Sequence, residues 1–221
     1  MPGRPVTETQ TAETSSPKFK TSKAERTRSQ ILTAARTVFE RDGYVTARIA
    51  DIAAEAGVSY GTFYTYFPGK DDVFRELAYT VVDELYEGTT SSYRGAETVA
   101  RVAAANRQFV TVFRKNAEFI RVIEQVATIN LEFEQLRRSL RSRAAERVEA
   151  AIRRYIADGV ADSSIDPHIA SHALIGMVYY FCYTWLSLGE PFDDDAAVET
   201  LTTLWIRGLG LTPAKIPNQL R

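Results

Sequence analysis

The chain runs to 221 residues, 45% of them hydrophobic, with a formal net charge of −1, which is enough apolar material for a full core without covalent staples. A single cysteine, Cys182, rules out an internal disulfide and a thiolate zinc cluster and fits a reducing compartment. The near-zero total does not rule out a polyanionic partner, because residues 18–70 carry nine basic and five acidic side chains, a net of +4, while residues 71–221 carry 17 basic and 21 acidic, a net of −4.

Residues 1–21 are rich in Thr, Ser, Pro and Glu, hold almost no large apolar side chain, show no apolar leader of secretory type and are expected to be a disordered arm. Lys18, Lys20 and Lys23 read either as contacts to a DNA backbone or minor groove, or as solvated charges on a tail. Ser22-Lys23-Ala24-Glu25 has capping-box order, after which Ile31, Leu32, Ala35, Val38 and Phe39 recur at helical spacing until Asp42-Gly43. A short second helix fits Ile49–Ala56, with Gly57 turning the chain. Ser59 is placed to cap a third, closed by Pro68-Gly69, and Lys70-Asp71-Asp72 opens a fourth with acids suited to its N-terminal dipole. Longer helices are predicted over Ala96–Lys115, Ala117–Ile129, Leu131–Ala157, Pro167–Leu188 and Asp195–Gly208, with no strand alternation and no internal repeat.

The stretch Gly57–Lys70, GVSYGTFYTYFPGK, packs four aromatic residues into five positions, more than a core-facing helix requires. On a helical wheel Val58, Phe63 and Phe67 turn toward the other helices, while Tyr60, Gly61, Thr62, Tyr64 and Tyr66 lie wholly or partly outward. Phe63 and Phe67 then anchor a helix too short to hold itself. Tyr64 and Tyr66 offer hydroxyls to phosphate oxygens, and Tyr60 and Thr62 reach toward base edges. Gly61 admits a close backbone approach, and Lys70, at a helix start, faces a phosphate. A helix, a glycine turn and a second helix over Ile49–Phe67 is the helix-turn-helix plan.

The runs Ile31-Leu32-x-Ala34-Ala35, Phe39-x-x-x-Gly43-Tyr44 and Asp51-Ile52-Ala53-x-x-Ala56-Gly57-Val58-Ser59-x-Gly61-Thr62-Phe63-Tyr64-x-Tyr66-Phe67-x-x-Lys70 resemble the TetR family of transcriptional regulators. The resemblance implies an all-α protein with an N-terminal three-helix DNA-binding domain and a larger helical domain for effector binding and dimerisation. With residues 1–21 as the arm, the expected limits are 22–69 and 70–221. It also implies DNA contacts from Arg48, Tyr60, Gly61, Thr62, Tyr64, Tyr66 and Lys70, to which Ser59 is added at the helix start. The chain departs from the family pattern at Ala47-Arg48, at Ala50 and at Gly69, which leaves the operator sequence open.

In the larger part the Pro167–Leu188 segment is apolar nearly all round and approaches the length of a membrane span; its tyrosines, serines and histidine favour a helix covered on more than one side. Leu174, Met177, Val178, Phe181 and Trp185, with Leu201, Leu204 and Trp205 of the last helix, are the expected two-fold interface. The aromatic set Phe109, Phe113, Tyr179, Tyr180 and Tyr183, with Asn106, Gln125, Thr128 and Asn130 as polar fixers, is the expected lining of an effector site for a mainly apolar or aromatic molecule. Taken singly, each of these residues reads first as plain core and only second as a ligand contact, since aromatics at helical spacing usually just pack. The arginine-rich helix over 131–157 reads as a solvated face bridged to Glu132, Glu134, Glu146 and Glu149, with recognition of an anionic ligand as the alternative. His168 and His172 lack a third strong ligand, and neither a metal nor a cofactor is expected. The function these features point to is a dimeric, ligand-responsive regulator, a repressor on a pseudo-palindromic operator. The alternatives are a helical interaction module without DNA binding and an enzyme, for which Cys182 and the two histidines lie too far apart along one helix.

Overall fold

The computed structural model describes residues 23–87 and 98–211. The expected N-terminal arm, the Ser22 end of the capping box and the expected helix start at Ala96 lie outside them. Eight α-helices make up the described residues: α1 (Lys23–Asp42), α2 (Ile49–Glu55), α3 (Tyr60–Tyr66), α4 (Lys70–Glu87), α5 (Thr98–Ile129), α6 (Leu131–Ala157), α7 (Pro167–Cys182) and α8 (Asp194–Gly208).

Local chemistry sets most of the ends. Gly43 and Gly57 adopt φ of 75° and 66° where α1 and α2 stop, the left-handed region that glycine enters without a steric cost. The side chains of Ser59, Asn130, Asp166 and Asp193 accept from backbone amides of the first turn of α3, α6, α7 and α8. Two expectations change. A single α5 replaces the two helices expected to break at Asn116, whose side chain is fully buried and bonds back to the Val112 carbonyl at 2.9 Å, inside the helix. The helix expected to end at Leu188 is α-helical only to Cys182 and finishes in one wide turn, Tyr183–Ser187, in which the Leu188 amide reaches the Tyr183 carbonyl at 3.1 Å.

The helix-turn-helix and the larger part share one continuous apolar core running from Ile31 in α1 to Leu201 in α8. A ring stack sits where they meet: Phe74 of α4 lies 5.4 Å from Phe39, 4.8 Å from Tyr44, 5.5 Å from Phe119 and 4.9 Å from Phe133. A second cluster around Val102, Ile152, Leu209 and Leu211 closes the far end. Phe63 is fully buried and Phe67 nearly so, and at about 1.5–3 kcal/mol for each such side chain they hold the seven-residue α3, which would not persist alone.

Candidate functional site

With Phe63 and Phe67 inward, the opposite side of α3 is open. Tyr60 and Tyr64 are 55% and 45% exposed, against full burial of Phe63 one position away. Their rings meet edge to face at 5.2 Å and their hydroxyls lie 3.2 Å apart, so they form one polar-tipped ridge. The Tyr60 hydroxyl beside it raises the Tyr64 phenol above its ordinary value. Gly61 is exposed between them, and a Cβ built there meets nothing nearer than Ser59 Oγ at 3.9 Å. The fold itself therefore does not demand glycine at 61. Half-buried Thr62 shares a 2.7 Å hydrogen bond with Ser59 Oγ, and Arg48 stands at the start of α2 with its guanidinium bonded to Asp51 at 2.8 Å.

Three of the expected DNA-contact residues are occupied differently. Lys70 turns back on the loop between α1 and α2: its ammonium donates to the Tyr44 and Ala47 carbonyls at 2.8 and 2.9 Å and lies over the Tyr44 ring at 4.6 Å. Desolvation by burial lowers its pKa, and with its donors taken it is a staple for the loop. Tyr66 is half-buried, packs on the core and faces the cleft near Arg28 and Phe67, away from the Tyr60–Tyr64 ridge. Ser59 acts through its cap, its Oγ accepting from Thr62 N at 3.0 Å. Arg48, Tyr60, Gly61 and Tyr64 are exposed, and Thr62 is half-buried.

The larger part holds a mainly apolar cavity of about 210 Å³ between α4, α5, α6, α7 and α8. Of the nine residues expected to line an effector site, it takes only Asn106 and Phe109. Phe113 is fully buried in the core behind them. Gln125 and Thr128 are exposed on the far end of α5, and Asn130 caps α6. Tyr179 is turned to Glu124, whose carboxylate accepts from its hydroxyl at 2.6 Å and also takes Arg137 at 2.5 Å and Arg141 at 3.2 Å; burial and that carboxylate hold the phenol well above its usual range. Tyr180 is 69% exposed on the outer side of α7, and Tyr183 is half-buried at the wide turn.

Most of the cavity's wall comes from residues that sequence reasoning did not single out for it, among them Tyr86, Arg101, Val148, Tyr155 and Ile175; Arg147 and Arg154, which also line it, belong to the basic helix for which an anionic ligand is the alternative reading. Arg147 and Arg154 are exposed, which puts them at the mouth. Arg101 Nε and Trp205 Nε1 are buried N–H donors with no hydrogen-bond partner among the described residues, and both residues line the cavity. Such orphans cost free energy unless a bound molecule or water accepts from them. The detectable signal was the spacing of Arg147 and Arg154, seven apart on α6 with Val148 and Ala151 between them and Tyr155 next after, one helical face with a cationic edge. The basic helix divides its arginines: Arg138 and Arg153 bridge to Glu134 and Glu149 on the solvated side as expected, Arg137 and Arg141 turn inward, and Arg147 and Arg154 edge the cavity. His168 Nδ1 lies 2.9 Å from Glu149 and its ring meets His172 edge to face.

The expected interface residues also separate. Val178, Trp185 and Leu201 are buried in their own subunit, Trp205 lines the cavity, Met177 and Phe181 pack partly on the core, and Leu174 lies with the second cluster. Leu204 alone is exposed, at 48%. The exposed large apolar side chains of this region are instead Ile169 and Tyr180 of α7, Leu188 and Phe192 beyond it, and Leu204 of α8. Residues Pro167–Ser187 are long and apolar enough to cross a membrane by length and composition, but Val178, Cys182 and Trp185 face this protein's own core.

Residues 31–77 match the model for bacterial regulatory proteins of the tetR family, and residues 95–209 match the model for the C-terminal domain of tetracyclin repressor-like proteins. Among curated relatives, the fatty acid metabolism regulator protein of Bacillus subtilis is 25% identical over 190 residues, covering 81% of this chain and 94% of that protein. The HTH-type transcriptional activator FasR of Mycolicibacterium smegmatis is 27% identical over 190 residues, 84% of each. Among solved structures, Salmonella enterica GusR superposes with a TM-score of 0.73 at 17% identity, over 86% of this chain and 98% of that one. The regulator FadR from Bacillus subtilis in complex with stearoyl-CoA gives 0.67 at 22% identity, over 81% and 98%. At these identities the structural matches establish a shared fold.

Proposed function

This chain belongs to the TetR family and is a ligand-responsive, DNA-binding transcriptional regulator; from that premise we propose that it is a repressor released from its operator by an amphipathic molecule with an acyl-like body and an anionic head. The observation that carries the effector class is the apolar cavity edged by Arg101, Arg147 and Arg154, with two buried N–H donors awaiting an acceptor. An apolar body gains by leaving water, and guanidinium groups at the mouth suit carboxylate or phosphate oxygens. The fatty acid regulator among its relatives and the stearoyl-CoA bound to B. subtilis FadR support the same class.

Each subunit inserts α3 in a major groove, Tyr60 and Tyr64 reaching phosphates and base edges and Gly61 bringing the helix backbone close. Two subunits pair through the exposed faces of α7 and α8, which sets two reading heads about 34–36 Å or a multiple apart and calls for a pseudo-palindromic site. The effector acts through unequal affinity for the DNA-competent and DNA-incompetent arrangements. The test is selection of genomic fragments by the purified protein, followed by footprinting with and without long-chain acyl-CoA. A two-fold footprint that weakens with salt and is lost on adding acyl-CoA is expected. Binding without sequence preference overturns the regulator's mode of reading, and a footprint strengthened by the ligand reverses the sign.

A further inference from the structure

Tyr86, on the last turn of α4, lies between two cavities. On one side it lines the 210 Å³ cavity, where its ring is 5.7 Å from that of Phe109. On the other it lines a void of about 20 Å³ whose wall is mostly apolar, with Phe74, Val82, Phe133 and Leu140, and also takes in Arg137 and Arg141. That void is too small to be a site by itself, yet its lining lacks contact atoms on one side, so carbon entering it would gain dispersion contacts that the empty protein forgoes. Burial pushes the Tyr86 hydroxyl up to about 12, so the ring moves as a neutral group. Past the void lie Phe74 and Phe133, the same rings that meet Phe39 and Tyr44 at the joint with the DNA-binding helices.

We propose that Tyr86 is a partition that sets the length of chain this regulator answers to: short chains fill only the larger cavity, whereas chains long enough to displace its ring enter the smaller void and press on Phe74 and Phe133. The inference rests on the reading of the larger cavity as the site of an acyl-type effector. It adds a specificity-determining residue and a reason for response to depend on length, since only the longer chains touch the rings that carry α1.

The experiment is a titration of the full-length protein with straight-chain saturated acyl-CoA thioesters of increasing length, read by calorimetry and by tryptophan fluorescence, to which Trp205 in the wall of the larger cavity contributes along with Trp185. For the wild type, affinity is expected to rise about fourfold per methylene, to level off over a few carbons as the chain meets Tyr86, and to rise again once the ring is displaced. Tyr86→Ala is expected to remove the level stretch. Val82→Phe, which fills the void from a half-buried position, is expected to leave short chains unaffected and abolish the second rise. One unbroken profile shared by the wild type and both variants overturns the partition and leaves the effector site standing. Failure of the wild type to bind any length overturns the effector class and the partition with it.

Discussion

Asn116 sits near the middle of the 32-residue α5 and is fully buried, a costly position for an amide unless every polar atom is met. It is: Arg36 of α1 donates to its Oδ1 at 2.8 Å, while its Nδ2 donates to the Val112 carbonyl at 2.9 Å and to Glu84 at 3.3 Å. The same guanidinium bonds Glu40 at 2.8 Å and lies over the Phe119 ring at 5.6 Å. One residue thus ties the first helix to α4 and α5, two of the helices that wall the cavity. Asn116→Ala and Arg36→Ala are each expected to cost about 1–3 kcal/mol. The double variant is expected to lose less than the sum by about 1 kcal/mol, within the usual coupling of contacting residues. Denaturant unfolding of the four proteins checks it, and strict additivity would show that the pair does not act as a unit. In the sequence an asparagine between two helical runs reads as a break, because nothing local announces an arginine eighty positions earlier.

At the scale of the element, α3 separates what holds it from what it offers. Ser59→Ala removes the cap from a seven-residue helix and is expected to cost about 0.5–2 kcal/mol. Tyr60→Phe and Tyr64→Phe remove exposed hydroxyls and are expected to shift stability by no more than about 0.5 kcal/mol while weakening retention on DNA. Thermal unfolding and salt-dependent DNA binding, measured side by side, tell the two roles apart; equal loss of stability in all three variants would sink the division. These residues were legible because the inward and outward sides of a short helix follow from its 3.6-residue period. Lys70 was not, since its reach to carbonyls at 44 and 47 is a property of how the loop folds over α4. The end of α7 was hidden for a like reason. Its wide turn lets Ser187 donate to the Ala117 carbonyl at 2.8 Å and keeps Trp185 inward beneath Arg114, two contacts made by another helix.

For the whole molecule, burial divides the apolar surface of α7 and α8 into a share for the subunit's own core and a share left open. Val178, Trp185 and Leu201 belong to the first; Tyr180 and Leu204, at 69% and 48% exposure, belong to the second. Tyr180→Glu with Leu204→Glu is therefore expected to yield a folded protein that sediments as a monomer, whereas Val178→Ala is expected to lose about 0.5–2 kcal/mol of stability and keep its assembly state. A Tyr180→Glu, Leu204→Glu protein that stays associated would place the two-fold contact elsewhere.

The sequence by itself determined that the protein is helical, where nearly every helix begins, and which short helix turns tyrosines outward, because caps, glycine turns and apolar periodicity act within a few residues of each other. Only the tertiary structure decided which aromatics are core and which line the cavity, which arginines face solvent and which edge a pocket, and which residues of an all-apolar helix are left exposed. A helix that is apolar on several sides carries no record of its neighbours, so those choices are made when α4 to α8 pack together and fill one another's space.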